Sequence, residues 1–254
     1  MDGLRKPFQG VSNILRFNWH FYMFAFGATA AIAVAGVGVE DILRYVCIGT
    51  AVAIGSSTLV SLLVSFYVYD ASGLYRLDWL AAADLGPDGK MLSIHAGFDE
   101  TTSLLRARYP RALWTVMDFY DPAKHTEISI KRARRSYPPS PDDVRVSTSK
   151  LPLSSASVDA IFVLLAAHEI RDEQERFAFF AELHRVLKMG GRIVVLEHLR
   201  DRPNALAYTL GVFHFIGERS WLALFDRAGL RIAQRLKPNR FMTCFVLEKH
   251  VATS

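Results

Sequence analysis

Charged residues are missing from two long stretches of this sequence. Between Phe17 and Val39 there is no Asp, Glu, Lys or Arg, and between Tyr45 and Tyr69 there is none either. In a chain whose residues are 51% hydrophobic, that gap leaves two places for the stretches, an unusually large core or lipid. Each exceeds the roughly 20 residues needed to cross a hydrocarbon layer of about 30 Å. A cleaved secretory signal is one alternative, since Arg5, Lys6 and Arg16 precede an apolar run holding Ala33-Val34-Ala35. That run is longer than the roughly 7 to 15 residues of a signal core, and a second apolar stretch follows almost at once. A buried soluble hairpin is the other alternative, because Gly, Ala, Ser and Thr make both stretches less apolar than leucine-rich spans.

Cysteine is scarce too. Cys47 and Cys244 are the only two, far apart in the chain, which excludes a disulfide framework and a cysteine-based metal site. No metal-ligating set is expected from the sequence. Internal repeats and long low-complexity tracts are lacking, and the proline-rich "YPPSPDD" at 137–143 is a loop. The net charge of +5 fits a protein resting against an anionic leaflet and gives no reason to expect nucleic acid as a partner.

What is present divides the chain into four parts. Residues 1–16 form an N-terminal segment and 17–69 a two-helix transmembrane hairpin turned at "GVGVEDILR". Small residues, Gly27, Ala31 and Ala35 in one helix and Gly49, Ala53 and Ser57 in the other, are expected to let the two backbones approach and offer a surface for self-association. Trp19, Tyr22, Tyr67 and Tyr69 are expected as an interfacial aromatic belt. Three basic residues precede the first span, and the connecting loop carries Glu40, Asp41 and only Arg44, so the positive-inside bias puts both termini in the cytoplasm, as in a bacterial inner-membrane protein. Residues 70–89, with helical apolar spacing in "LYRLDWL", read as an amphipathic connector at the membrane surface.

From Lys90 onward, strand-like and helix-like segments alternate, which predicts βαβ units and a doubly wound, mostly parallel sheet of seven strands over 90–254. The strands are "KMLSIHA", "ALWTVMD", "DVRVST", "VDAIFVLLA", "GGRIVVLEH", "LRIAQRL" and "FMTCFVLEK". The best-marked helix is "DEQERFAFFAELHRVLK", in which Phe177, Phe180, Leu183, Val186 and Leu187 recur at close to helical spacing, with acidic residues first and Lys before "GG" last. Those glycines are expected to cap the helix and reverse the chain. The basic cluster "KRARR" at 131–135 reads as a solvated helix face, with attraction to lipid headgroups as the second reading.

In order and motif, these elements resemble the class I S-adenosylmethionine-dependent methyltransferases, particularly the quinone and small-molecule branch. The resemblance covers roughly Lys90 to Lys249 and is strongest in "LPLSSASVDAIFVLLAAHEIRDEQERFAFFAELHRVLKMGGRIVVLEH". Met189 stands where the family has proline, and Val158-Asp159 where it has Phe-Asp. The resemblance implies a Rossmann-like fold, S-adenosylmethionine as cofactor, and "MLSIHAGFDE" as the first cofactor loop, here with Gly97 alone where two or three glycines are usual. It places His95, Ala96 and Gly97 against the cofactor, Asp118 on its ribose and Phe119 beside its adenine, and adds Thr148, Ser149 and Leu165. Asp118 also stands about 20 residues after the glycine turn, the spacing at which a carboxylate reaches ribose hydroxyls. A dinucleotide is disfavoured, because Asp99 and Glu100 would repel a pyrophosphate. His168 and Glu169 follow the fourth strand beside the methyl group and are the candidate catalytic pair, His168 as a general base. Glu197, His198 and His214 are candidates for the acceptor pocket, and the aromatic-rich "ALAYTLGVFHFIG" suits a lipophilic acceptor, a quinone precursor, lipid or aromatic polyene, entering from the membrane plane. A non-catalytic domain of the same fold, serving as a membrane-bound scaffold, is the rival reading, and the altered first loop is its support.

Overall fold

The computed structural model describes residues 5–250, so the outermost residues of the first and last parts of the division above lie outside it. Seven strands form one sheet: β1 (Lys90–His95), β2 (Leu113–Asp118), β3 (Val144–Arg145), β4 (Val158–Leu164), β5 (Leu187–His198), β6 (Leu230–Asn239) and β7 (Met242–Lys249). Their spatial order is β3-β2-β1-β4-β5-β7-β6. All pairings are parallel except those of β7, which runs antiparallel to both β5 and β6. Strand order reverses between β1 and β4, and in an open α/β sheet the ligand crevice lies outside the carboxyl ends of the strands at such a point.

The apolar run of β4 is buried along nearly its whole length because both faces of the sheet are covered. One face carries helices α5 (Glu173–Val186) and α7 (Glu218–Arg227), whose Phe179, Phe180, Leu183, Trp221 and Phe225 pack over Ile161, Val163 and Val195. Asp172 caps α5 by accepting the Glu175 N–H at 2.7 Å, a bond worth about 1 kcal/mol in such positions. The other face carries α3 (Thr102–Arg108) and the connector. Val68, Leu74, Leu77 and Leu80 are buried there with Leu105, Phe162, Val194 and Val246. The apolar stripe expected at the membrane surface therefore faces the sheet, where it fills area that α3 is too short to cover. Two shorter helices, α4 (Ile128–Ser136) and α6 (Arg202–Tyr208), complete the domain.

"KMGG" does not cap α5. Leu187 is already extended, and Gly190 (φ +78) and Gly191 lie inside strand β5, where its register with β4 shifts. A Cβ on Gly191 would sit 2.7 Å from the Asp159 carbonyl oxygen, so the glycine is needed for close approach to β4 rather than for chain reversal.

Helices α1 (Gln9–Val37) and α2 (Asp41–Phe66) form an antiparallel hairpin, and both are long and apolar enough to cross a membrane. Their close contacts are at Gly36, where a Cβ would lie 3.0 Å from the Cys47 Cβ, and at Gly55 against Thr29. Gly27 and Gly49, expected in the seam, meet nothing within 4 Å. Tyr69 is no belt residue either; its hydroxyl hydrogen-bonds His198 Nε2 at 2.9 Å inside the domain. The base of the hairpin is fastened to the domain. Asp70 accepts the Gly10 and Val11 N–H groups, both at 2.8 Å, which satisfies orphan donors at the start of α1.

Candidate functional site

Strand β1 delivers His95, Ala96 and Gly97 to the switch point, and β2 delivers Asp118 beside them in register with His95. Gly97 has φ +84, and a Cβ there would come within 2.9 Å of the Tyr120 side chain, so backbone conformation and space both require glycine. The Gly97 N–H donates to His95 Nδ1 at 3.2 Å, which leaves the ring proton on Nε2, 3.5 Å from the Asp143 carboxylate. Ser93 is not idle, since its hydroxyl bonds Thr102 Oγ1 at 2.7 Å and holds the start of α3. Asp99 orders the loop by accepting the Thr101 and Thr102 N–H groups at 2.8 and 3.0 Å.

Asp118 is 1% exposed. Its Oδ1 accepts the Tyr120 N–H at 2.9 Å, and its Oδ2 is ion-paired with Arg134 at 2.6 Å. Arg134 also donates to the Gly97 carbonyl at 3.2 Å. The basic cluster is thus only partly a solvated face. Arg134 bridges β2 to the loop, and Arg132 donates to the Phe17 carbonyl at 2.7 Å, because α4 lies in the angle between α1 and the sheet edge. Glu100 binds α1 to the same loop, accepting from Gln9 at 2.8 Å, Asn13 at 3.0 Å and Tyr75 at 3.1 Å, with Arg5 ion-paired at 3.0 Å. Phe17, Phe98 and Tyr137 close over this junction edge to face.

The remaining predicted contacts are dispersed. Phe119 points away from the crevice into the core, against Phe179 and His125, since consecutive residues leaving a strand face opposite sides; Tyr120 is the ring beside Gly97. Thr148 donates to Glu175 at the start of α5, Ser149 pairs with Ser147 on the surface, and Leu165 (φ +55) packs against the core beneath the connector.

Past β4, His168 and Glu169 occupy a single 3-10 turn. Glu197, at the end of β5 and 1% exposed, accepts from His168 Nδ1 at 2.7 Å and from the His168 backbone N–H at 3.2 Å. His168 Nε2 faces Glu169 at 3.4 Å, and the His214 ring lies edge-on at 5.2 Å. Arg171 donates to the His214 carbonyl at 2.6 Å and to Glu127 at 3.0 Å. Burial opposes the charged form of His168, but Glu197 and Glu169 outweigh it and raise its pKa to about 10. Glu169 shows the reciprocal effect: burial opposes its charge, and His168 nonetheless lowers it to about 2. At neutral pH the ring is therefore an imidazolium, and as it stands it has no vacant nitrogen for general-base work. His198 belongs elsewhere. Burial lowers its pKa to about 4, and the neutral ring bonds Tyr69, Asn204 and the Phe241 carbonyl. Arg134 is legible in the sequence only as part of a basic cluster, Arg171 and Glu127 belong to no motif, and only the density of Arg, His and Glu around "HEIRDE" hints at the second group.

Strand order 3-2-1-4-5-7-6 with an antiparallel seventh strand, and a glycine turn and carboxylate at its switch point, is a specific combination. Residues 96–195 match the family described as "Methyltransferase domain". That stretch is similar to a methyltransferase domain. The chain is similar in structure to an S-adenosylmethionine-dependent methyltransferase from Aquifex aeolicus, with a TM-score of 0.50, 16% identity, and coverage of 75% of this chain and 97% of that one. Likeness to the mitomycin 7-O-methyltransferase MmcR gives a TM-score of 0.57 at 16% identity, over 97% of this chain and 74% of the other. In sequence, 147 residues are 30% identical to a malonyl-[acyl-carrier protein] O-methyltransferase of Laribacter hongkongensis (strain HLHK9), covering 55% of this chain. The match spans about half of that relative, 47% of its length.

Proposed function

We propose that the protein is a membrane-held methyltransferase that moves the methyl group of S-adenosylmethionine to an oxygen of a lipophilic acceptor. The observation that carries this reading is the convergence of Gly97 and Asp118 at the switch point, with His168 and Glu169 one strand away. The fit to the cofactor can be read from buried polar atoms. His95 Nε2 and Asp118 Oδ2 are both buried without a hydrogen-bond partner, although each has a charged neighbour. Asp118 would accept from the ribose hydroxyls, and the bare backbone at Gly97 would lie along the amino-acid end. The bound cofactor supplies an electrophilic methyl on a sulfonium. What the chain does is align the acceptor in line with it, a positioning effect that can supply several kcal/mol of the barrier.

An oxygen acceptor is favoured by the curated relative, named for O-methylation. The lipophilic character rests on the surface beside His214. Leu206, Leu210 and Phe213, at 78%, 80% and 67% exposure, stand on the segment that packs against α2. On the hairpin itself Phe21, Phe24, Phe26, Val34, Val37 and Val52 face outward, which a helix pair buried in a soluble core would not allow. A bilayer around the hairpin therefore continues onto the apolar rim of the acceptor side. The scaffold reading keeps one observation in its favour, the ion pair that Asp118 already makes with Arg134. Calorimetric titration of the detergent-solubilised chain with S-adenosylmethionine separates the two. Saturable binding lost in Asp118→Ala upholds the enzyme reading, and no binding by the wild type hands the fold to the scaffold.

A further inference from the structure

His168, Glu169 and His214 each present one ligand atom, and the three atoms lie within 4.8 Å of one another. We propose that they form a site for a divalent transition metal of the Zn²⁺, Mn²⁺ or Co²⁺ class, and that this ion holds the acceptor's oxygen. Two imidazoles and one carboxylate are the donor set such ions prefer over Mg²⁺ or Ca²⁺. Around a tetrahedral ion with bonds of about 2.0 to 2.2 Å, ligand atoms stand about 3.3 to 3.6 Å apart, so the cluster needs to contract by up to about 1.5 Å. Side-chain rotation on two short 3-10 turns supplies that.

The neighbours are arranged as supports for metal ligands. Glu197 accepts from His168 Nδ1 at 2.7 Å, and Glu127 stands 3.3 Å from His214 Nδ1. A carboxylate beside each ring's Nδ1 turns Nε2 toward the ion, as metal-binding histidines commonly require, and binding of the ion would displace the Nε2 proton of His168 to solvent. Arg171 is the obstacle, because its guanidinium now lies against the His214 ring. Its side chain is 41% exposed, and it already bonds Glu127 and the His214 carbonyl, so it can leave the ring and keep two partners. Three carboxylates, Glu127, Glu169 and Glu197, face this one guanidinium and the His168 ring, an excess of negative charge that suits a divalent cation.

Three protein ligands leave at least one coordination position open. An acceptor hydroxyl bound there gives up its proton to solvent, since coordination lowers its pKa. Its oxygen then forms the bond to the methyl carbon while the carbon–sulfur bond breaks and sulfur keeps the electron pair. An acceptor carboxylate needs no proton loss and binds as it is. This use of the ion rests on the methyltransferase reading; the binding of the ion does not.

The test uses the full chain in detergent micelles, stripped with chelator and titrated with Co²⁺ and Zn²⁺ in the absence of S-adenosylmethionine. One equivalent should bind, with visible Co²⁺ absorption bands that Zn²⁺ abolishes. Glu169→Gln and His214→Gln should each weaken binding at least about 10-fold, and Glu197→Gln by about 10- to 100-fold. Arg171→Met should leave it unchanged or tighten it. A wild type that binds no ion at millimolar Co²⁺, or binding indifferent to Glu169→Gln and His214→Gln together, overturns the site. Titrating the same sample with S-adenosylmethionine keeps the two readings apart: metal bound without cofactor bound sinks the methyltransferase reading alone, and the converse sinks the metal site alone.

Discussion

Replacing Arg134 by glutamine should move stability and cofactor affinity in opposite directions. In the ligand-free chain Asp118 is buried; its Oδ1 accepts the Tyr120 N–H, and its Oδ2 is ion-paired with the Arg134 guanidinium. Removing one partner of a buried ion pair leaves an uncompensated charge, at a cost of about 3 to 5 kcal/mol. Arg134 is itself mostly buried, so solvent recovers little of this loss. Ribose hydroxyls donating to Asp118 no longer compete with a cation for Oδ2 in the variant. A hydrogen bond to a charged group is worth about 1.5 to 3 kcal/mol, so S-adenosylmethionine should bind about 10- to 100-fold more tightly to Arg134→Gln than to wild type. Thermal unfolding followed by circular dichroism gives the first quantity and calorimetry the second. The variant should melt earlier without ligand and gain more from saturating ligand. Weaker binding with unchanged stability would refute the reasoning, because it would mean that Arg134 contacts the cofactor and that its pairing with Asp118 contributes nothing.

Three other outcomes follow from the same geometry. Gly97→Val should abolish cofactor binding while His95→Gly keeps it, since a Cβ at Gly97 collides with Tyr120 in a left-handed backbone; equal binding by both variants counts against the loop assignment. His198 should titrate near pH 4 by NMR: the unfolded ring takes up a proton near pH 6.5 that the folded ring refuses until about 4, so its contribution, up to about 3 kcal/mol, is complete above pH 6.5 and lost as pH falls through this window. His198→Gln should flatten that part of the stability profile, and an unchanged profile would assign the titration elsewhere. Membranes carrying the protein should retain it through alkaline carbonate, and a cysteine placed at Glu40 should label from outside while one at Lys90 labels only after permeabilisation; release by carbonate ends the transmembrane reading.

Periodicity made the sheet legible, because strands covered on both faces read as continuous apolar runs and α5 repeats its phenylalanines at helical spacing. It could not assign a partner to an apolar stripe. Leu74, Leu77 and Leu80 carry the spacing of an interfacial helix, and only the shortness of α3 leaves them the face of the sheet. Charge was legible as composition but not as pairing. Nothing near "KRARR" in the chain indicates that Arg134 reaches Asp118 or that Arg132 reaches the backbone of Phe17. Gly97 and Asp118 were readable because a turn and a strand end are local features. The grouping of His168, Glu169 and Glu197 with His214 and Glu127 was not, since it arises where three separate crossovers meet at one edge of the sheet.

Hydrogen bonds from Gln9 and Asn13 to Glu100, together with the Asp70 cap on α1, join the hairpin to the first loop without slack. A tilt of the hairpin is therefore a strain on that loop. In a bilayer thicker or thinner than the apolar span, the helices lean to match it at a cost of fractions of a kcal/mol per ångström. Part of that cost would fall on the residues that order Gly97. Lipid chain length would then act as a ligand of the domain without touching it, and turnover in nanodiscs of graded acyl length would trace a maximum at the thickness where the hairpin stands unstrained.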